Sequence, residues 1–274
     1  MNFNKAKKIL IFLFAFLNLF LIFQLSKMTD TRTTVSISSI RKTVQLAEAR
    51  GVLVSEDVIP RKIEVLSFLE LSNPLHDKAD FFSEFTNFKD ISSVREKMFV
   101  MNFKGEKFQN EKELLSFFNK SGFSPYSLKF EHKISNPIMN EDIYFFSQVY
   151  NSKIIYGSGV NAKLENGGLS TLSGNVYKIT DVKMNDYTPV SPLQIILTFS
   201  RILDGRKAVI DDINQGYYIP SDSKNYKNIT AIPCYILDVD SYKFIFDAEK
   251  GDFMVRFTEN GSFTPDIEQA VSFF

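Results

Sequence analysis

Reactive side chains are scarce in this sequence of 274 residues, which holds two histidines, His76 and His132, and one cysteine, Cys234. That count excludes an intramolecular disulfide, a zinc site built on two or more thiolates, and His-rich metal chemistry. Two acidic groups, Asp211-Asp212 and Asp238/Asp240, could attract a cation. Neither has the ligand spacing of an EF-hand loop, so both read as solvated acids at turns and strand edges. Gly157-Ser158-Gly159 lacks the G-x-S-x-G spacing that presents a nucleophilic serine, and it reads as a strand bend or bulge. Neither phosphate-cradling pattern, G-x-x-x-x-G-K-[ST] or G-x-G-x-x-G, occurs. His132 follows Glu131 in a predicted strand, His76 lies in a Pro-containing loop, and neither has a Cys or Ser partner nearby in sequence. Cys234 alternates with Ile232 and Ile236, the pattern of a small buried apolar group. The residues therefore predict no catalytic site, no cofactor and no metal.

What the sequence does mark is a tether. The 32 basic and 32 acidic side chains cancel, so bulk charge excludes a nucleic-acid binder, and the 44% hydrophobic content excludes a disordered chain. Residues 1–29 carry Lys5, Lys7, Lys8 and Lys27 and no acid, which leaves 28 basic against 32 acidic groups in the rest, a net of −4. From Ile9 to Leu25 run 17 uncharged residues, of which only Asn18 and Gln24 are polar. As a helix they would reach about 25 Å, the lower limit for a bilayer, and Lys8 and Lys27 can snorkel to make up the length. A cleavable signal peptide is the rival reading, but Gln24-Leu25-Ser26-Lys27-Met28 offers no small-x-small cleavage site. The expectation is an uncleaved single-pass anchor in membrane lipid, with a cytoplasmic N-terminus and the bulk of the chain outside. On such a helix Asn18 shares a stripe with Ile11, Phe14, Leu21 and Leu25, beside Ala15. Either this stripe docks on another membrane protein, since a polar amide among lipid tails seeks a partner helix, or the amide is simply tolerated.

The remainder predicts an α+β fold of antiparallel sheets with packed helices. Residues 1–29 form the cytoplasmic tip and anchor, 30–109 the first part of the outer domain, and 110–274 a tandem helix-plus-sheet region. Helical spacing of Ile37, Ile40, Val44 and Ala47 predicts a helix over 36–50, with Gly51 after it. Segment 52–105 predicts short strands at Val52–Val54, Val65–Leu69 and Met98–Phe103 and a helical piece near 77–97. Asn110 with Glu113 is a capping-box pattern that opens a helix ended by Gly122. Ser191, Pro192 and Gln194 open another, with Leu193, Ile196, Leu197 and Leu203 as its apolar positions, Phe199 and Ile202 beside them, and Gly205 at its end. Strand signals follow each helix: 142–150, then Val160, Ala162 and Leu164 before the hairpin Asn166-Gly167-Gly168, then Val176–Ile179. In the second half they are Val209-Ile210, Tyr217–Ile219, Ile232/Cys234/Ile236, Tyr242/Phe244/Phe246 and Phe253/Val255/Phe257. Residues 110–180 and 191–257 thus share one plan.

The run Met1-Asn2-Phe3-Asn4-Lys5-Ala6-Lys7, with Asn18-Leu19-Phe20-Leu21 further along, resembles the start of the YycI (WalI) family. Ile213-x-x-Gly216-Tyr217-Tyr218, Ile232-Pro233-Cys234-Tyr235-Ile236 and Phe246-Asp247-Ala248-x-x-Gly251 also resemble that family, and are similar to the broader PepSY-type pattern of a strand pair ending in a D-A-x-x-G hairpin. The resemblance covers the anchor and roughly residues 140–257. It implies a non-enzymatic regulator in Gram-positive bacteria, seated beside a sensor histidine kinase of the WalK (YycG) type and a YycH-type partner, in signalling that governs the cell wall. The alternatives are a PepSY-like binding module that inhibits or chaperones an extracytoplasmic protease or wall hydrolase, and a cell-surface enzyme.

Overall fold

The computed structural model describes residues 7, 11–21, 34–74, 90–95 (backbone only), 98–103, 105–184, 187–220 and 228–258. The first helix, α1, covers 11–21. Helix α2 (Ile37–Glu48) starts where Ser36 Oγ accepts from the Ser39 N–H, and it buries Ile40, Thr43 and Ala47. Ile37, expected on that stripe, is instead solvent-facing. Thr43 takes a place in the buried row instead.

Among the described residues thirteen strands follow the α+β plan, in one connected, largely antiparallel network. Segment 52–105 gives β1 (Val52–Val54), β2 (Phe68–Ser72), β3 (Asp90–Arg95) and β4 (Met98–Asn102). The helical piece expected near 77–97 is overturned at 90–95, where β3 pairs with β4 antiparallel, Asp90 opposite Asn102. The rest of that piece lies outside the described residues, as does His76. The strand expected at Val65–Leu69 lies later, at β2, because Leu69 and Leu71 alternate inward while Val65 is exposed.

Helix α3 (Glu111–Lys120) is opened by Asn110 Oδ1, which accepts from the Lys112 and Glu113 N–H groups, while Glu113 Oε2 accepts from the Gln109 N–H. That satisfies two N-terminal donors the helix cannot reach itself and fastens the residue before the cap. A meander of β5 (Leu128–Asn136), β6 (Glu141–Tyr150), β7 (Lys153–Glu165) and β8 (Gly168–Asn175) follows, with β9 (Lys178–Lys183) leading to β2. The β7–β8 turn is the two-residue loop Asn166-Gly167, both at positive φ (52° and 76°), the combination that matches the twist of paired strands.

Helix α4 (Pro192–Ile202) begins at the cap Ser191 and is followed by β10 (Ala208–Tyr218), β11 (Asn228–Val239), β12 (Tyr242–Asp247) and β13 (Phe253–Thr258). Its buried residues are Pro192, Ile195, Ile196, Phe199 and Ser200. Ile196 is buried as expected and Phe199 with it, while Ile195 takes the place expected of Leu193 and Leu197, which flank the contact. With a helix this rich in apolar residues on several sides, spacing does not single out the face that meets the sheet.

Two cores result. Helices α2 and α4 lie on β1 and β10–β13, with Ile40, Ile196, Phe199, Ile210, Leu237 and Phe246 between them. Helix α3 lies on β4 and β6–β8, through Leu114, Phe118, Phe146, Val160 and Leu172. Pairing is not antiparallel throughout: β10 runs parallel to both β1 and β7. β7 and β11 each belong to two sheets. Residues 155–156 of β7 pair with β10 and 159–165 with β8, while 228–231 of β11 pair with β2 and 232–239 with β10. The alternation Ile232/Cys234/Ile236 marks one buried face of β11. The opposite face is buried too, through Pro233, Tyr235 and Leu237, so the strand has no solvent side there.

Candidate interaction surfaces

The expected anchor stripe falls on α1. Ile11, Phe14, Ala15, Asn18 and Leu21 are all exposed and helical, and Leu25 lies outside the described residues. Exposure is not confined to that stripe. Every large apolar side chain from Ile11 to Leu21 keeps at least 48% of its surface open, on all sides of the helix. Among the described residues no helix is long and apolar enough to cross a membrane; residues 9, 10 and 22–25 of the uncharged run are outside them.

The chemically suggestive residues are placed as follows. Asp212 and Asp238 face each other across β10 and β11, where Lys243 Nζ holds both Asp238 oxygens (3.1 and 3.2 Å) and Asn214 donates to Asp212. Among the described residues no group of three or more His, Cys, Asp or Glu could hold a metal ion. His132 stacks on Phe145, ring centroids 4.4 Å apart and 13° from parallel, at the edge of the β5–β6 pair. Cys234 is fully buried, on the sheet face away from α4 with Tyr218, Ile236, Ile245 and Val255. Burial pushes its thiol well above the ordinary range, so it carries no thiolate to react.

Ser158 sits in a bulge of β7, as its flanking glycines suggest: the β6–β7 register shifts between Ser147 and Val149, and Gly157 has φ +91°. Its hydroxyl, fully buried, donates to Gln148 Oε1 at 2.5 Å. The same oxygen accepts from the Tyr177 N–H (3.0 Å), and Gln148 Nε2 donates to the Tyr177 carbonyl (2.7 Å). Gln148 thereby replaces the ladder that the bulge interrupts, at the point where β7 passes from one sheet to the other. The serine is structural here, and Gln148 was the missed residue. A lone amide between Phe146 and Val149 in a strand read as apolar is the signal that a buried partner awaits it.

The D-A-x-x-G hairpin also has a physical basis. Asp247 Oδ1 accepts from the Glu249 and Lys250 N–H groups, Gly251 has φ +77°, and a Cβ there would sit 3.3 Å from Gln194 Nε2. The Val190 N–H donates to the Ala248 carbonyl, so the hairpin is fastened to the start of α4.

A surface feature without a sequence signature is a groove at the edge of the first sheet. It consists of two adjoining hollows of about 480 Å³ each, which share Glu48, Leu53 and Val209. Val44 and Val58 line one of them, and Lys207 and Asp240 the other.

No protein-family model matches the chain, and no curated protein matches it. Solved structures similar to it include an uncharacterized protein from Eubacterium rectale, at 10% identity and TM-score 0.42, covering 69% of this chain and 85% of that one. Another is the YpeB C-terminal domain of Bacillus megaterium, at 12% identity and TM-score 0.36, covering 84% of this chain and 100% of that one.

Proposed function

We propose that the chain is a membrane-anchored, non-enzymatic regulator with its bulk outside the cytoplasm, which modulates a sensor histidine kinase of the WalK/YycG type together with a YycH-type partner. The observation that carries the reading is α1. A large apolar side chain left in water forgoes roughly 1.5–3 kcal/mol. Nine of them, from Ile11 through Phe14, then Phe16, Leu17, Leu19, Phe20 and Leu21, are about half exposed or more, which together leaves on the order of 10 kcal/mol unclaimed in water. A bilayer recovers that energy whichever way the helix faces, because the apolar surface runs all round it. Asn18 is the exception in that surface, and an amide in hydrocarbon gains about 0.6–2 kcal/mol by bonding to a neighbouring helix. A regulatory subunit shifts a kinase only if it binds one of its states better than the other, and helix contacts through Asn18 supply such a difference. The choice of kinase rests on the resemblance of the N-terminal run and of the segments around Gly216, Cys234 and Gly251 to the YycI family.

In cells, Asn18→Leu in the full chain should reduce co-purification with the kinase and change its output. If that variant and a chimera with an unrelated anchor both match wild type, the anchor contact is not the means of regulation. A second reading, a PepSY-like module that binds a protease or wall hydrolase, is favoured by the groove beside β1. It predicts that residues 31–274 alone retain the activity.

A further inference from the structure

The groove beside β1 combines an apolar floor with unpaired acids. Leu53 and Val209 are direct neighbours across the parallel β1/β10 pair, and they leave 52% and 42% of their surfaces open. Among the described strands β1 pairs with β10 alone, so its other side is a free edge. Around this floor stand the carboxylates of Glu48, Asp211 and Asp240, against the single ammonium of Lys207. Elsewhere in this half of the molecule Glu56 is matched by Arg41, Glu64 by Lys153 and Asp238 by Lys243. Among the described residues no ion pair or hydrogen bond from a basic side chain holds Glu48, Asp211 or Asp240.

The geometry points to a docking site for an extended, cationic segment of a partner polypeptide, with a branched aliphatic side chain on Leu53 and Val209 and lysine or arginine on either side. Charge selects this occupant. Three carboxylates beside a low-dielectric floor concentrate positive charge and repel an acidic segment. A second copy using the same face would set acids against acids, since a two-fold contact brings each patch onto itself. A free strand edge suits an extended chain, which gains main-chain bonds there and specificity from alternate side chains. Such binding needs neither the anchor nor the kinase, so it is separable from the function proposed above.

The test uses the full chain in a non-ionic detergent and two fluorescent hexapeptides, one alternating lysine with isoleucine and the other glutamate with isoleucine. Fluorescence anisotropy should show binding of the lysine peptide, weakened by added salt, and none of the glutamate peptide. Glu48→Lys with Asp240→Lys should weaken the lysine peptide about tenfold, the sum of two exposed ion pairs. Leu53→Ser with Val209→Ser should weaken it as well, whereas Ile138→Ser, at the exposed β5–β6 turn, should leave it unchanged. All five positions are exposed, and the thermal midpoint by circular dichroism verifies that each variant is folded. The comparison of the two peptides on the wild-type chain stands even if a variant is not. Equal binding of both peptides would overturn the inference, as would binding unmoved by either groove variant. A wild-type dimer that Leu53→Ser abolishes would overturn it in favour of a second copy.

Discussion

Replacing Gln148 by leucine tests whether the amide opposite the β7 bulge holds the point where β7 passes from one sheet to the other. Gln148 is 1% exposed and makes three hydrogen bonds, two with the main chain of Tyr177 and one with Ser158. Leucine nearly preserves the volume and removes all three. The Ser158 hydroxyl keeps a second acceptor, the Asn175 carbonyl at 3.2 Å, so two groups are left unsatisfied: the N–H and the C=O of Tyr177. At about 1–3 kcal/mol each they cost roughly 2–6 kcal/mol. The buried leucine returns about 1–2 kcal/mol of transfer energy, and the midpoints of the two ranges leave a net loss of about 2.5 kcal/mol. That is a large share of the 5–15 kcal/mol typical of a folded domain. Ser158→Ala should cost only about 1 kcal/mol, because Gln148 Oε1 keeps the Tyr177 N–H. The double variant should cost less than the sum of the two by about 1 kcal/mol, since the hydroxyl acts through the amide. Urea unfolding followed by far-ultraviolet circular dichroism measures all three, and its slope shows whether the β5–β8 and β10–β13 meanders still unfold together. A Gln148→Leu chain within about 0.5 kcal/mol of wild type, with an unchanged slope, would refute the joint.

Other positions carry independent predictions. A Cβ at Gly216 would lie 2.8 Å from the Ile154 carbonyl oxygen and 3.1 Å from Ile236 Cδ1. Gly216→Ala should therefore cost about 1–3 kcal/mol and speed hydrogen exchange at Tyr217 and Tyr218, where β10 meets β7. The buried Cys234 thiol should resist maleimide in the native chain and react fully in denaturant; complete labelling of the native chain within minutes would contradict its placement. Hydrogen bonds from Lys133 and then Ser135 hold the Asp142 carboxyl below its ordinary range. A lowered folded value means stability that is present above the unfolded carboxylate pKa and lost as the pH falls through the folded one. Both partners are about one-third exposed, so screening limits the effect: Asp142→Asn should cost under about 1 kcal/mol near neutral pH and nothing near about pH 2, by thermal melting.

Local chemistry was the legible part of the fold. Asn110 and Ser191 cap the helices they were expected to cap, and Asn166-Gly167 turns where left-handed residues are needed. These signals are short-range and leave a residue-level trace. Which face of an element meets the sheet is decided by partners far along the chain. That is why Leu193 and Leu197 gave way to Ile195 on α4, and why Val52-Leu53-Val54, apolar throughout, concealed an exposed Leu53. The segment at 90–95 has no strong period of its own and takes strand form from β4. On α1, the stripe from Ile11 to Leu21 was visible as composition, and the structure adds that no side of that helix is covered.

The order in which partners become available sets the timetable of folding. β1 and β2, at 52–54 and 68–72, find their neighbours only at 208–210 and at 178–183 and 228–231. As the chain is synthesised, its earliest strand therefore stands with open edges until about three-quarters of the chain has emerged. Such distant pairings close slowly, because the entropy of the intervening loop is lost before any contact is gained. A nascent chain of this kind is vulnerable to edge-to-edge association for most of its synthesis. Truncation before β11 should leave a sticky fragment in place of a smaller folded domain.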